Sequence, residues 1–376
     1  MFTLKTSILQ FDTFKAFAQA ENLGEGDLVI TQSFIHEPFM QALGLPCTYV
    51  MQDRYGAGEP SDEMIDRILQ DNAGKAFRRI VGIGGGTVID IAKLLVIEQL
   101  SRAADAFERK IPITKGKELI LVPTTCGTGS EVTNISIAEI KAKHTKMGLA
   151  DDALAADKAV LIPELLKGLP YKFFLFSAID ALIHAVESFV SPKADDYSRL
   201  FSEAAIRTIL RVFRRIAAEG EACRFQHSRE MLLASNYAGI AFGNAGCGAV
   251  HALSYPIGGK LHVAHGEANY QFFVPIFQRY ARKNPDGSIV QLHTILAAEL
   301  GVDSGLILRK ANAVYDRLSD LLAQLLNRRP LREFGMQEED IESFADNVVR
   351  TQQRLLNNNY VAFSRDEIRD IYKELY

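Results

Sequence analysis

Apolar positions along this chain change their period near residue 165. In the first part, short β-branched runs alternate with stretches of helical spacing. Residues 27–31, 47–51, 79–83, 118–122 and 135–140 read as strands, and 61–70 and 88–99 as helices. Ser61-Asp62 supplies N-cap chemistry at the first of these helices. A further short apolar run, 159–162, ends at Pro163. Alternating strands and helices predict a mostly parallel sheet flanked by helices, that is, a Rossmann-like α/β domain. After Pro170 helical spacing dominates, at 178–189, 197–217, 230–242, 304–326 and 338–356. Ser364 and Glu367 form a capping-box signature ahead of Ile368, Ile371 and Leu375. The expectation is an α/β domain over residues 1–165 and an all-helical domain over 166–376. They join near 163–171, with the site in the interdomain cleft. No internal repeat or low-complexity linker interrupts the pattern.

Composition narrows the function classes. The 376 residues are 48% hydrophobic and 23% charged, enough for two sizeable cores. A formal net charge of −4 gives no reason to expect nucleic acid or an anionic membrane as partner. The first ten residues show no signal-peptide pattern, and no apolar run is expected to span a bilayer; residues 94–97 stop at Glu98. Cys47, Cys126, Cys223 and Cys247 lack a paired spacing, which argues against a disulfide framework and for a reduced, cytoplasmic protein.

Two groups of residues carry candidate chemistry. Asp180 and His184 lie four apart in a helical run, so a carboxylate and an imidazole share one face. Taken alone, the pair also suits a plain hydrogen bond. His251 and His265 lie downstream, with Pro256, Gly258 and Gly259 between them, and a helix–break–loop there would return both imidazoles to the first pair. One carboxylate and three imidazoles suit a divalent first-row ion such as Fe²⁺ or Zn²⁺. His36, His144, His227 and His293 read as ordinary core or surface residues. Upstream, Gly84-Gly85-Gly86-Thr87 follows a strand and opens a helix, the place where backbone N–H groups hold a phosphate. It is neither Gly-x-Gly-x-x-Gly nor a Walker loop, and a glycine-rich turn without ligand fits it too. Residues 123–133 form a second, hydroxyl-rich loop after the next strand. Two such loops at neighbouring strand ends favour nucleotide binding, and a metal beside a nucleotide grip points to metal-assisted hydride transfer.

The chain resembles the iron-activated (group III) alcohol dehydrogenases over nearly its whole length. The family's Gly-Gly-Gly-Ser-x₂-Asp-x₂-Lys stands at 84–93 with Thr87 for Ser; Thr-Thr-x-Gly-Thr-x-Ser-Glu-Val-Thr stands at 124–133; Asp-Ala-Leu-x-His-Ala-x-Glu stands at 180–187. The histidine segment runs from His251 to His265-Gly266. Residues 58–63, 144–152, 266–273 and 351–356 resemble members acting on 4-hydroxybutyrate.

The resemblance implies NAD-linked interconversion of 4-hydroxybutyrate and succinate semialdehyde, with 1,3-propanediol or a simple primary alcohol as the alternative substrate. It implies Asp180, His184, His251 and His265 as metal ligands, with Fe²⁺ or in some members Zn²⁺. Gly85, Gly86, Thr87 and Asp90 match the pyrophosphate loop, Thr124, Thr125 and Thr128 the nicotinamide-side contacts, and Lys146 a ribose contact. It also implies a small-molecule substrate and a homo-oligomer, a dimer or larger. Two positions depart from the family. Tyr255 stands where many members carry a relay histidine, leaving Tyr255, His262 or metal-held water as substitutes. Gln32 stands where NAD-preferring members carry an acid, so the residues leave NAD and NADP open, with NAD expected. Lys260 and His262 are candidates for a substrate carboxylate. Rivals are glycerol-type dehydrogenases and dehydroquinate synthases of the same architecture, and a non-catalytic binder of nucleotide and metal.

Overall fold

The structure, a computed structural model, describes residues 1–143, 145–303 and 312–376. His144 and the start of the helix expected at 304–326 lie outside the described residues. The chain divides into two compact units, Leu4–Pro170 and Tyr171–Tyr376, the latter joined by Met1–Thr3.

In the first unit the strands are β1 (Ser7–Gln10), β2 (Asp27–Thr31), β3 (Thr48–Met51), β4 (Arg79–Gly84), β5 (Glu118–Pro123), β6 (Ile135–Ile140), β7 (Thr145–Ala150) and β8 (Lys158–Leu161). The helices are α1 (Phe14–Ala20), α2 (Ser33–Phe39), α3 (Asp62–Asp71), α4 (Gly86–Leu95) and α5 (Ala103–Phe107). Six strands form one parallel sheet in the order β1-β8-β5-β4-β2-β3. β2 and β4 are buried along their whole length, as a sheet covered on both faces requires. One core lies on each face. Ile80, Leu119 and Leu121 pack with α3 and α4 on one side; Val29, Val81 and Ile120 pack with α1 on the other.

Two expectations shift, and two strands, β1 and β7, have no counterpart among the expected ones. The strand at 135–140 does not join the parallel sheet; it pairs antiparallel with β7 as a separate hairpin. β1 is four residues with no buried position, too short to show a period, and becomes an edge strand beside β8. The helix expected at 88–99 begins at Gly86 and ends at Leu95, because Ile97 leaves the helical path to bridge Lys115.

The second unit is helical: α6 (Tyr171–Val190), α7 (Asp196–Glu219), α8 (Ser228–Ala245), α9 (Ala249–Leu261), α10 (His265–Lys283), α11 (Ser288–Leu300), α12 (Ala313–Leu325), α13 (Asp340–Thr351), α14 (Gln353–Leu356) and α15 (Arg365–Leu375). The stretch expected as one helix at 338–356 is broken at Gln352. The Ser364/Glu367 capping box is present on α15. α6 corrects the expectation that no run suffices to cross a bilayer: by length and composition this 20-residue helix does. Every residue from Ala178 to Val190 is buried, among them Asp180, His184 and Glu187, and α6 packs against α7, α8 and α10 as the central helix of its unit.

Candidate metal centre and dinucleotide turn

Three helices bring four donors together. On α6, Asp180, His184 and Glu187 lie on one face at spacings of four and three. α9 delivers His251. Two glycines precede it: Gly246 closes α8 at φ 79°, and Gly248 has no room for a side chain, since an added Cβ would stand 2.9 Å from Asn359 Oδ1 and 3.3 Å from Glu187 Oε1. α9 then runs unbroken through Pro256, Gly258 and Gly259. The break expected at those residues falls instead at His262–Ala264, where His262 adopts a left-handed φ of 54°. α10 starts at His265. Its next residue, Gly266, meets the α6 backbone so closely that a Cβ would lie 2.1 Å from the Phe176 carbonyl oxygen. That contact sets the first turn of α10 on α6.

The result is one cluster. Candidate donor atoms of Asp180, His184, His251 and His265 all lie within 4.8 Å of one another. Asp180 is its hub: Oδ1 stands 3.6 Å from His251 Nε2 and 3.8 Å from His265 Nε2, and Oδ2 stands 3.9 Å from His184 Nδ1. Donors about 2.1 Å from a shared tetrahedral ion stand roughly 3.4 Å apart, so these separations are close to those of a coordination shell. They are too long for hydrogen bonds. His251 Nε2 is buried and makes no hydrogen bond at all, a costly arrangement for a polar atom unless something else binds it. The donor set and this orphaned nitrogen fit a divalent ion.

Electrostatics agree. Burial works to raise the pKa of Asp180, but His184, His265 and His251 outweigh it and hold the carboxyl well below the usual range. Burial works against a charged His251, yet Cys247, Asp180 and Glu187 together push its pKa well above that of free imidazole. This cluster attracts positive charge.

Around the donors stand residues that sequence reasoning did not single out. Glu187 Oε2 takes the His251 Nδ1 hydrogen at 2.6 Å, and Oε1 accepts the Val250 N–H at 2.7 Å. One carboxylate thus caps α9 and fixes the histidine with Nε2 toward Asp180. Asn269 Nδ2 donates to Asp180 Oδ1 at 2.7 Å and lies 3.2 Å from His265 Nε2. The His184 ring stacks between Phe242, at 4.2 Å, and His251, at 4.6 Å. Glu187 was visible as the position seven after Asp180; nothing in the sequence marked Asn269 except its place four after His265.

The relay candidates separate. Tyr255 is half-buried, with its ring centroid 6.1 Å from that of His265. His262 is exposed at the α9–α10 turn. Lys260 does not serve as a spare cation: its ammonium pairs with Asp340 at the start of α13 and lies over the Phe344 ring. Of the histidines read as ordinary, His36 packs on Tyr49, His227 pairs with Glu230 and His293 bonds Tyr315. All four cysteines are free thiols.

In the first unit the glycine-rich turn joins β4 to α4. Gly85 is the N-cap and offers no side chain, so the first N–H groups of this ten-residue helix have no side-chain cap. Gly82 and Gly84 are packing glycines: a Cβ would lie 2.6 Å from Ala92 or Val88. At Gly85 and Gly86 a Cβ would meet Thr125 Cγ2 at 3.3 Å and Thr128 Cγ2 at 3.0 Å, so the two loops lie on each other. Thr124 N–H bonds the Gly84 carbonyl at 3.1 Å, and Thr87 Oγ1 donates to Gly58 O at 2.9 Å.

Two cofactor candidates are engaged with protein partners. Asp90 accepts from Ser130 Oγ at 2.7 Å and from the Ile137 N–H at 3.0 Å. Lys93, fully buried, donates to Ser130 Oγ, Thr133 Oγ1 and Ile135 O and stands 3.8 Å from Asp90. Asp90 and Lys93 thus form a network tying α4 to the hydroxyl loop and β6. Lys146 pairs with Glu59.

Comparison with known proteins agrees with this geometry. Residues 12–163 match the model of the iron-containing alcohol dehydrogenases, and residues 174–376 match that of the Fe-containing alcohol dehydrogenase family, C-terminal. The chain is 52% identical over 373 residues to 4-hydroxybutyrate dehydrogenase of Clostridium kluyveri, covering 99% of each. It is 35% identical over 308 residues to long-chain-alcohol dehydrogenase 1 of Geobacillus thermodenitrificans, covering 80% of this chain and 75% of that one. Among solved structures, sulfoacetaldehyde reductase from Bifidobacterium kashiwanohense in complex with NAD⁺ shares the fold at a TM-score of 0.84 and 22% identity, covering 100% of this chain and 98% of that one.

Proposed function

The chain belongs to the iron-containing alcohol dehydrogenase family, and on that premise we propose that it interconverts 4-hydroxybutyrate and succinate semialdehyde with NAD as hydride carrier. The substrate rests on the likeness to the Clostridium kluyveri enzyme. The observation that carries the chemistry is the convergence of one carboxylate and three imidazoles in one cluster, buried except at His265. Asp180, His184, His251 and His265 would hold Fe²⁺, with Zn²⁺ suited to the same donors. When bound, the ion supplies Lewis-acid polarisation of the substrate oxygen, and the nicotinamide supplies hydride exchange.

The chain's own residues have defined parts in this reading. Glu187 and Asn269 hold His251, His265 and Asp180 in the donor arrangement. Gly85, Gly86 and Thr87 present backbone N–H groups to the pyrophosphate, and Thr124, Thr125 and Thr128 line the nicotinamide half. Asp90 acts from behind, fixing the hydroxyl loop against α4, and Lys146 stands paired with Glu59. Tyr255 stands beside His265 as the relay, its Oη donating its own hydrogen outward as it accepts the hydroxyl proton, and exposed His262 is the alternative carrier to water. The same reading makes the enzyme a cytoplasmic homodimer or larger assembly, which light scattering measures.

An anaerobic assay with 4-hydroxybutyrate, butanol and 1,3-propanediol, each with NAD and NADP, tests the proposal. Fastest turnover is expected with 4-hydroxybutyrate and NAD. Preference for a substrate without a carboxylate would overturn the substrate assignment, and no turnover with any alcohol while ion and dinucleotide are bound would point to a binding protein.

A further inference from the structure

The sheet order places a carboxylate where the sequence shows none. β4, which feeds the glycine-rich turn, is flanked by β5 on one side and by β2 and then β3 on the other. A dinucleotide with its pyrophosphate on that turn extends one nucleotide over each flank, outside the carboxyl ends of the strands. With the nicotinamide half at Thr124, Thr125 and Thr128, the adenosine ribose belongs over the ends of β2 and β3. The residue following β2 is Gln32, an amide. Its Nε2 donates to Gln52 Oε1 at 2.9 Å, and buried Gln52 donates in turn to Gly56 O at 3.0 Å. Next to Gln52, Asp53 reaches across from the end of β3, and its Oδ1 accepts the Ser33 N–H at 2.8 Å. The two strand ends are laced together, and a carboxylate from β3 stands beside the first residue of α2. Asp53 is exposed and has no lysine or arginine within ion-pair distance among the described residues. Burial works to raise its pKa, but the hydrogen bonds from Ser33 and the charge of Arg54 outweigh it and keep the group ionised at neutral pH.

We propose that Asp53 selects NAD over NADP, supplying from the neighbouring strand the acid that Gln32 does not. The inference rests on the dinucleotide reading above. A ribose diol carries two hydroxyl donors, and an ionised carboxylate accepts them. A 2′-phosphate brings up to two negative charges toward Asp53 and finds the Ser33 N–H already engaged. The sole positive group adjacent in sequence, Arg54, would act in the opposite sense, so it provides the control.

The test is fluorescence titration of the purified holoenzyme with NADH and with NADPH, alongside kcat/KM for NAD and NADP with 4-hydroxybutyrate. The wild-type protein binds NADH more tightly. Asp53→Asn keeps an oxygen for Ser33 while removing the charge; it weakens NADH binding and moves the NADH:NADPH preference toward NADPH by about tenfold, the scale of one screened charge contact. Arg54→Ala leaves the ratio within about twofold, since a solvated charge contributes little. Tight NADH binding with an unmoved ratio in Asp53→Asn overturns this proposal alone. A wild-type preference for NADPH that Arg54→Ala abolishes also overturns it, giving the selection to Arg54. Binding of neither dinucleotide overturns the dinucleotide reading beneath it as well.

Discussion

At the four-donor cluster the atoms on offer are side-chain atoms; at the glycine-rich turn they are backbone N–H groups, and the ionisable side chains nearby already bind one another. Asp180 and the three histidines lie 3.6 to 3.9 Å apart across Asp180, too far to satisfy each other. Asp90 and Lys93, by contrast, are fully engaged with Ser130, Thr133 and β6. The first region is built to accept an ion and is incomplete by itself. The second is built to keep a surface clear and is internally complete. Removing side chains should therefore damage the first, and adding them should damage the second.

The largest effect is expected at the cluster. His265→Ala should abolish metal retention, measured by metal analysis, and cost turnover more than the roughly 10–100-fold typical of an outer-shell partner. NADH binding should persist in that variant; full activity would refute the donor assignment. Glu187→Gln tests whether orientation matters as well as identity. It should weaken ion binding about 10–100-fold in competition with a chelator, with the helical circular dichroism unchanged. An unchanged affinity would reduce Glu187 to a helix cap for α9.

At the turn the sign reverses. Gly86→Val places branched bulk against Thr128 Cγ2, 3.0 Å from the new Cβ. The NAD KM should rise by about tenfold, the factor that a loss of about 1.4 kcal/mol in cofactor binding produces, while metal content stays at the wild-type level. An unchanged KM would count against the grip.

The last effect is on stability and leaves turnover aside. Burial lowers the pKa of Lys93 to about 8, partly offset by Asp90 and Glu131. The folded state thus binds this proton less tightly than the unfolded chain. The penalty is complete below pH 8 and is relieved between pH 8 and 10.5, so that contribution to stability increases with pH across this window by up to about 1.4 kcal/mol per unit. Comparing wild type with Lys93→Met in urea denaturation at pH 7.5 and 9.5 isolates it. Identical pH dependence in both proteins would show that Lys93 stays charged throughout.

The same contrast explains what the sequence made legible. Donors on one helix are readable, because Asp180 and His184 share a face at any length of α6. The meeting of His251 with His265 required a break whose chemistry looked settled by Pro256, Gly258 and Gly259. The helix absorbs all three and breaks at His262 instead. Tertiary packing decides there, through Gly266 against the Phe176 carbonyl. Glu187 acts on a residue 64 positions away, a pairing that no local period encodes. In the first unit the buried strands announced themselves by β-branched runs. β1 did not, because an edge strand of four residues buries nothing; β6 reads as one more strand of the sheet because strand propensity carries no partner, and its partner β7 has no counterpart among the expected strands. Asp53 belongs to the same class: its position beside β2 follows from strand order alone.

One titration tests the central claim most directly. The purified protein is stripped of metal with a chelator, and Fe²⁺ is returned anaerobically while NADH formation from 4-hydroxybutyrate is followed. Activity should vanish on stripping and return in proportion to added ion, reaching its plateau at one Fe²⁺ per chain. Undiminished turnover by the metal-free protein would contradict the account.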